Sequence, residues 1–200
     1  VGFSELPQGP YGAILADPPW RFKTWNKRTV LKPRWGPKSF RDGSLHYRTL
    51  TLAELSALPV AGLAGADCAL FLWVSWPQLP EALSLIETWG FRFKTCAFCW
   101  TKARNQLDLL GPDDQMGMGY WTRANTEACL LATRGRPRRL HADVRQAIIE
   151  PRREHSRKPA CVHERIERLV RGPYVELFGR RSRPGWTVWG DEVGKFDGCG

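Results

Sequence analysis

No stretch of this 200-residue chain reaches the roughly 18 consecutive apolar residues that a membrane-spanning helix requires, so no membrane partner is expected. No secretory signal pattern is visible, and the six cysteines are expected as reduced thiols in a cytoplasmic protein. Internal repeats and low-complexity runs are lacking, which excludes a solenoid and a linker-joined array. Cys96-x-x-Cys99 is the one cysteine pair at ligand spacing, and no second pair completes a four-ligand site, so no metal is expected. The pair falls inside Phe93–Thr101, which reads as a strand. Strand residues three apart point to opposite faces, so the thiols should diverge. Negative charge is also scarce. Thirty Lys and Arg stand against 20 Asp and Glu, a formal charge of +10, which favours a polyanion partner, most simply nucleic acid.

What is present begins with Tyr11–Ala16, an apolar run that reads as a buried strand, followed by Asp17-Pro18-Pro19-Trp20. A stiff turn at a strand end would present one carboxylate, one proline carbonyl and one flat aromatic face to a common pocket. The prolines fix φ, so the acceptors need little reorganisation. That set suits an exocyclic amine of a nucleobase. Its nitrogen is a poor nucleophile because the lone pair is delocalised into the ring. Acceptors for both hydrogens favour the pyramidal, reactive form. Trp20 can stack on the base, a contact worth roughly 1–3 kcal/mol in nucleic-acid sites.

The rest of the chain alternates short apolar runs with helical patterns. Thr51-Leu52-Ala53-Glu54 is a capping box ahead of a short face of Leu52, Leu55 and Leu58. Ala69–Val74 is a continuous apolar strand. Pro77 can open a helix with the stripe Leu79, Ala82, Leu83 and Ile86, which Gly90 stops. Phe93–Thr101, Glu127–Thr133, Gln146–Ile149, Tyr174–Phe178 and Trp186–Trp189 read as strands. Val162, Ile166, Leu169 and Val170 mark a helix, with Glu164–Arg168 and Glu167–Arg171 spaced for support. The alternation implies one α/β domain over residues 1–200, with a mostly parallel, doubly wound sheet and no separate target-recognition domain.

In such sheets ligands sit outside the carboxyl ends of the strands. Asp17, Gly179-Arg180 and Gly190-Asp191 all follow strands and should line one edge. The base pocket therefore comes early in the chain and the nucleoside-cofactor pocket late. Lys23–Leu45, Lys102–Tyr120 and Arg134–Lys158 are long and polar, and basic residues stand among aromatics, which suits a surface that tracks a phosphate backbone. Residues 102–120 are equally a candidate homodimer or heterodimer interface.

Several blocks in order resemble one family: Ala16-Asp17-Pro18-Pro19-Trp20, His46-Tyr47-Arg48-Thr49-Leu50, Leu70-Phe71-Leu72-Trp73-Val74, Trp100-Thr101-Lys102, Glu154-His155-Ser156-Arg157-Lys158-Pro159, Val175-Glu176-Leu177-Phe178-Gly179-Arg180 and Gly185-Trp186-x-x-Trp189-Gly190-Asp191-Glu192. The chain is similar along almost its whole length to the MT-A70 family of adenine amino methyltransferases. That family includes the catalytic subunit of the eukaryotic messenger-RNA enzyme and small bacterial and phage members.

The resemblance implies a Rossmann-like, circularly permuted methyltransferase domain that uses S-adenosylmethionine. It implies that Asp17 and the Pro18 carbonyl hold the amine while Pro19 and Trp20 shape the base pocket. Tyr47 and Trp100 match positions that close over the adenine, and Lys158 one near both the base and the cofactor's carboxylate. Asp17, Phe178, Gly179, Arg180, Asp191 and Glu192 match the cofactor site. The family commonly has Asn where this chain has Asp191. It often has a cofactor-contacting segment upstream of the catalytic strand; here that part of the pocket is expected either to be absent or to be supplied by Phe3–Leu6. DNA is the preferred substrate. RNA and a non-catalytic nucleic-acid-binding subunit are the alternatives.

Overall fold

A computed structural model of the protein describes residues 5–21, 49–103, 121–122, 124–153 and 157–198. Lys23–Leu45, Tyr47 and residues 104–120, including most of the candidate dimer segment, lie outside the described residues.

Among the described residues, seven strands form one sheet in the order β5-β3-β4-β2-β1-β6-β7. They are β1 Tyr11–Ala16, β2 Ala64–Val74, β3 Arg92–Ala103, β4 Thr126–Arg134, β5 Ala147–Pro151, β6 Tyr174–Leu177 and β7 Trp186–Trp189. The β1–β2, β1–β6, β6–β7 and β3–β5 pairings are parallel, whereas β4 runs antiparallel to both β2 and β3. The first strand of the chain thus sits inside the sheet, flanked by β2 and β6. That position explains its unbroken apolar sequence, because both of its faces are covered. Ile14 and Ala16 pack with α1 (Leu52–Ser56) and α2 (Leu79–Thr88), while Ala13 and Leu15 pack with α3 (Cys161–Leu169) on the opposite side.

The capping box forms as expected. Thr51 Oγ1 accepts the Glu54 N–H at 3.2 Å and Glu54 Oε2 accepts the Thr51 N–H at 2.8 Å. Other expectations are corrected. Pro77 lies in a 3-10 turn, Trp76–Gln78, and α2 opens at Leu79 with Pro80 in its first turn. Leu85 joins Ala82 and Ile86 as a fully buried residue of α2, and Leu79 and Leu83 pack partly buried against the same core. The charges of α3 reach other elements: Arg168 donates to Asp143 Oδ2 at 2.7 Å, and Glu167 Oε1 accepts the Trp186 indole N–H at 2.7 Å.

The two thiols do not diverge. The β3–β4 register shifts between Cys96 and Phe98, so one extra residue, Ala97, breaks the alternation. Cys96 then pairs with Leu130 and Cys99 with Ala128, both on the α1/α2 side, while Phe98 and Trp100 face α3. Burial pushes the Cys96 thiol above its ordinary range, and the neighbouring Cys99 adds to the rise.

Candidate active site

Strand direction assembles the site. Because β1, β2, β6 and β7 run parallel, Ala16, Val74, Leu177 and Trp189 all end at one edge of the sheet. The reversed strand β4 brings its first residues to that same edge, where Trp100 pairs with Glu127 and Thr101 with Thr126. Asp17 leaves β1 there, with its backbone N–H donating to Leu177 O at 3.3 Å.

Four alternating charges meet at this edge. Lys158 Nζ donates to Asp17 Oδ2 at 2.8 Å and lies 3.3 Å from Glu127 Oε2. Lys102 Nζ donates to Glu127 Oε1 at 2.5 Å. Both ammonium groups also sit against indoles, Lys158 at 5.6 Å from the Trp73 ring centre and Lys102 at 5.2 Å from that of Trp100. Burial raises the pKa of Asp17 above the ordinary carboxylate value, and Lys158 only partly offsets it. Burial acts the same way on Glu127, but two lysines outweigh it and hold that carboxyl low. Burial disfavours charge on Lys158 as well, yet the two carboxylates prevail and keep it protonated above the usual lysine range.

A cavity of about 220 Å³ opens beside this cluster. Asp17, Trp73, Lys158, Glu176, Phe178 and Arg180 are among the residues that line it, so the first strand and the last third of the chain share one pocket. Phe178 holds φ at 64°, a left-handed conformation uncommon for a residue with a side chain. Its ring meets Trp189 edge-on at 5.4 Å.

The remaining expected residues fall in several places. The Pro18 carbonyl already accepts the Trp20 N–H at 2.8 Å, which leaves it one lone pair, and the Pro19 carbonyl accepts the Leu50 N–H at 2.8 Å. Trp20 is buried in the core, with its indole N–H donating to Trp73 O at 3.1 Å. Trp100 is likewise buried and donates to Glu150 O at 2.9 Å. Neither indole lines the cavity. Gly179 and Gly190 approach each other closely: a Cβ on Gly190 would lie 2.6 Å from Gly179 O. Glu192 reaches Arg180 at 3.9 Å, while Asp191 is exposed beyond β7. Leu6 packs on the α1/α2 core, and Phe3 lies outside the described residues.

Two residues that the sequence did not single out belong here. Glu127 stands at the start of an apolar strand, and only the direction of β4 reveals where it points. Glu176 lines the cavity with its Oε2 2.9 Å from His163 Nε2. A half-exposed Trp76 also stands just past β2, with its indole N–H fixed on Thr126 Oγ1 at 2.8 Å.

Known proteins similar in sequence can be named. Residues 11–192 match the family model MT-A70. The chain is 34% identical to the type II methyltransferase M.MunI of a Mycoplasma species, over 96% of this chain and 81% of that protein. It is 28% identical to the N(6)-adenosine-methyltransferase MT-A70-like protein of Arabidopsis thaliana, over 92% of this chain but 24% of that protein. It is 27% identical to the human N(6)-adenine-specific methyltransferase METTL4, over 84% of this chain and 37% of that protein. It therefore spans most of the length of the Mycoplasma relative and less than half of the plant and human ones. With Asp17 of an acid–Pro–Pro–Trp sequence lining the cavity and a family match across nearly the whole sequence, this chain belongs to the MT-A70 family of adenine N6-methyltransferases.

Proposed function

We propose that the protein transfers a methyl group from S-adenosylmethionine to the exocyclic amino group of adenine in DNA, with release of S-adenosylhomocysteine and of one amine proton to solvent. The observation that carries this reading is the position of Asp17: gripped by Lys158 at 2.8 Å, it lines the same cavity as Phe178 and Arg180.

The chemistry of the cavity fits that cofactor. It offers carboxylates, Asp17 and Glu176, alongside the cations Lys158 and Arg180 and the aromatic walls Trp73 and Phe178. A molecule carrying an amino-acid zwitterion, a positive sulfur and a purine finds a complement for each part. Lys158, Phe178, Gly179 and Arg180 are the residues proposed to hold it, with Glu192 steadying Arg180 and Asp191 at the rim. When bound, S-adenosylmethionine supplies an electrophilic methyl group on a sulfonium.

The chain's own work is positioning and electrostatics. Asp17 Oδ1, the oxygen opposite Lys158, accepts one hydrogen of the amine, and the remaining lone pair of the Pro18 carbonyl accepts the other. Burial makes Asp17 more basic than a surface carboxylate, and so a stronger hydrogen-bond acceptor for the amine N–H. Lys158 fixes Asp17, and Glu127 and Lys102 fix Lys158. Tyr47 is proposed to bound the adenine, while Trp100 backs Lys102 from the core. In a duplex the base must be flipped out, at a cost of a few kcal/mol.

A net charge of +10 and the exposed, hydrogen-bonded indole of Trp76 beside the site favour a nucleic acid over a small molecule. DNA is preferred to RNA because the chain is 34% identical to the type II methyltransferase M.MunI and spans 81% of its length. The test is incubation of matched DNA and RNA oligonucleotides with the protein and S-adenosylmethionine, followed by nucleoside mass spectrometry. N6-methyldeoxyadenosine in the DNA is the expected product. Methylation confined to RNA would overturn the substrate assignment, and methylation of neither would overturn the activity.

A further inference from the structure

Residues 193–198 lie beyond the family match and carry one buried aromatic ring, Phe196. That ring lines the same cavity as Asp17 and Lys158. Two guanidiniums sit against it, Arg180 at 5.2 Å and Arg157 at 5.5 Å from the ring centre. The main chain locks the arrangement. Phe196 N–H donates to Arg180 O at 3.2 Å, and Asp197 Oδ1 accepts the Ser182 N–H at 2.7 Å. The turn is thereby latched at two points to the segment that follows β6. Glu192, in the same turn, places its Oε2 3.9 Å from the Arg180 guanidinium. Arg180 is consequently held from two sides by one short stretch of chain.

The position of this latch assigns it a role. Asp17 and Lys158 mark where β1 ends, so the reacting amine belongs there. Phe196 hangs on Arg180, and its neighbour Asp197 on Ser182, past the end of β6 and toward β7, displaced from the amine along the sheet edge. An aromatic face bracketed by guanidiniums offers a nucleoside an apolar wall beside hydrogen-bond donors for its ribose oxygens.

We infer that Phe196 is a cofactor-binding residue: its ring walls the nucleoside end of the cavity and holds Arg180 in register there. The inference rests on reading the cavity as the S-adenosylmethionine site. It also gives this part of the pocket a source downstream of β7.

The test is calorimetry with S-adenosylhomocysteine, which binds without reacting, on wild type and on Phe196→Ala, Phe196→Leu and Phe196→Tyr. Phe196→Ala should weaken binding by about tenfold or more and Phe196→Leu by about fivefold, because Leu fills the space but cannot hold the guanidinium. Phe196→Tyr keeps the ring and should stay within about threefold of wild type. In turnover assays Phe196→Leu should raise KM for S-adenosylmethionine while kcat and the oligonucleotide KM stay put, a split that a general loss of folding would not give. Should Phe196→Ala fail to fold, the Leu and Tyr variants decide the matter. Wild-type affinity in Phe196→Leu would overturn this inference alone. No binding by wild type itself would overturn the cofactor reading and this inference with it.

Discussion

Lys158 serves two carboxylates that burial treats alike and lysines treat differently. Glu127 has two ammonium neighbours and is held low; Asp17 has Lys158 as its main partner and stays raised. The pH signs follow. Glu127, with a lowered folded pKa, contributes stability above the ordinary carboxylate pKa, and this is lost as pH falls through the lowered value. Asp17 acts in the opposite sense: its raised pKa favours the protonated form, so stability is lost as pH rises through the carboxylate range. Lys158, with a raised pKa, contributes fully below the ordinary lysine pKa and loses that contribution only in strong alkali.

Lys158→Met removes the charge that offsets burial at Asp17. The pKa of Asp17 should climb further, so the acid limb of the kcat/KM profile should move to higher pH. Transfer at neutral pH should fall by about 100-fold as the carboxylate loses its anchor. An acid limb that stays in place in that variant would show that Asp17 is not the group being titrated. At this scale Asp17 was legible because the acid precedes two prolines and follows an apolar run. Glu127 was not, because a carboxylate at the head of a strand carries no mark of which residues it will meet. Trp20 and Trp100 were legible as important aromatics, but their indole N–H partners, Trp73 O and Glu150 O, are backbone carbonyls that only the fold supplies.

The elements that place these residues owe as much to direction as to identity. Period and turn residues sufficed for β1, α1, α3 and β7, whose bounds fall within a residue or two of expectation. The reversal of β4 left no comparable trace, since an apolar run reads the same in either direction. The extra residue at Ala97 was equally silent, because a bulge depends on the partner strand. Beyond β6 and β7 the glycines serve strand-to-strand contact. A methyl at position 190 would meet Gly179 O at 2.6 Å and Phe178 C at 3.1 Å, and Phe178 walls the cavity. Gly190→Ala should therefore destabilise the protein by about 1–3 kcal/mol and weaken cofactor binding with it. Gly62→Ala, where an added Cβ meets nothing within 4 Å, is the control and should leave the melting temperature within about a degree. Equal melting curves for the two variants would show that the β6–β7 ends tolerate separation.

At the scale of the molecule, the site joins parts of the chain that lie far apart in sequence. Asp17 and Lys158 are 141 positions apart, and the cavity they both line is closed by residues of the final third. The order of motifs already implied this meeting, because strands that end at one edge bring their last residues together whatever their place in the chain. The sequence did not reveal the depth of the cavity or its C-terminal wall, which depend on how residues 191–198 fold back. In the proposed reaction the net charge of +10 brings nucleic acid to that edge, and the Asp17 carboxylate just past β1 selects the amine.

The central claim is that Asp17 activates the adenine amine. The most direct measurement compares wild type with Asp17→Asn by transfer of a labelled methyl group to an adenine-containing DNA oligonucleotide, with S-adenosylhomocysteine affinity measured in parallel. The account predicts label on the adenine N6 for wild type, a loss of about 100- to 1000-fold for the variant, and cofactor-product binding that remains measurable in both. Undiminished transfer by Asp17→Asn, or label on any other atom of the base, would contradict it.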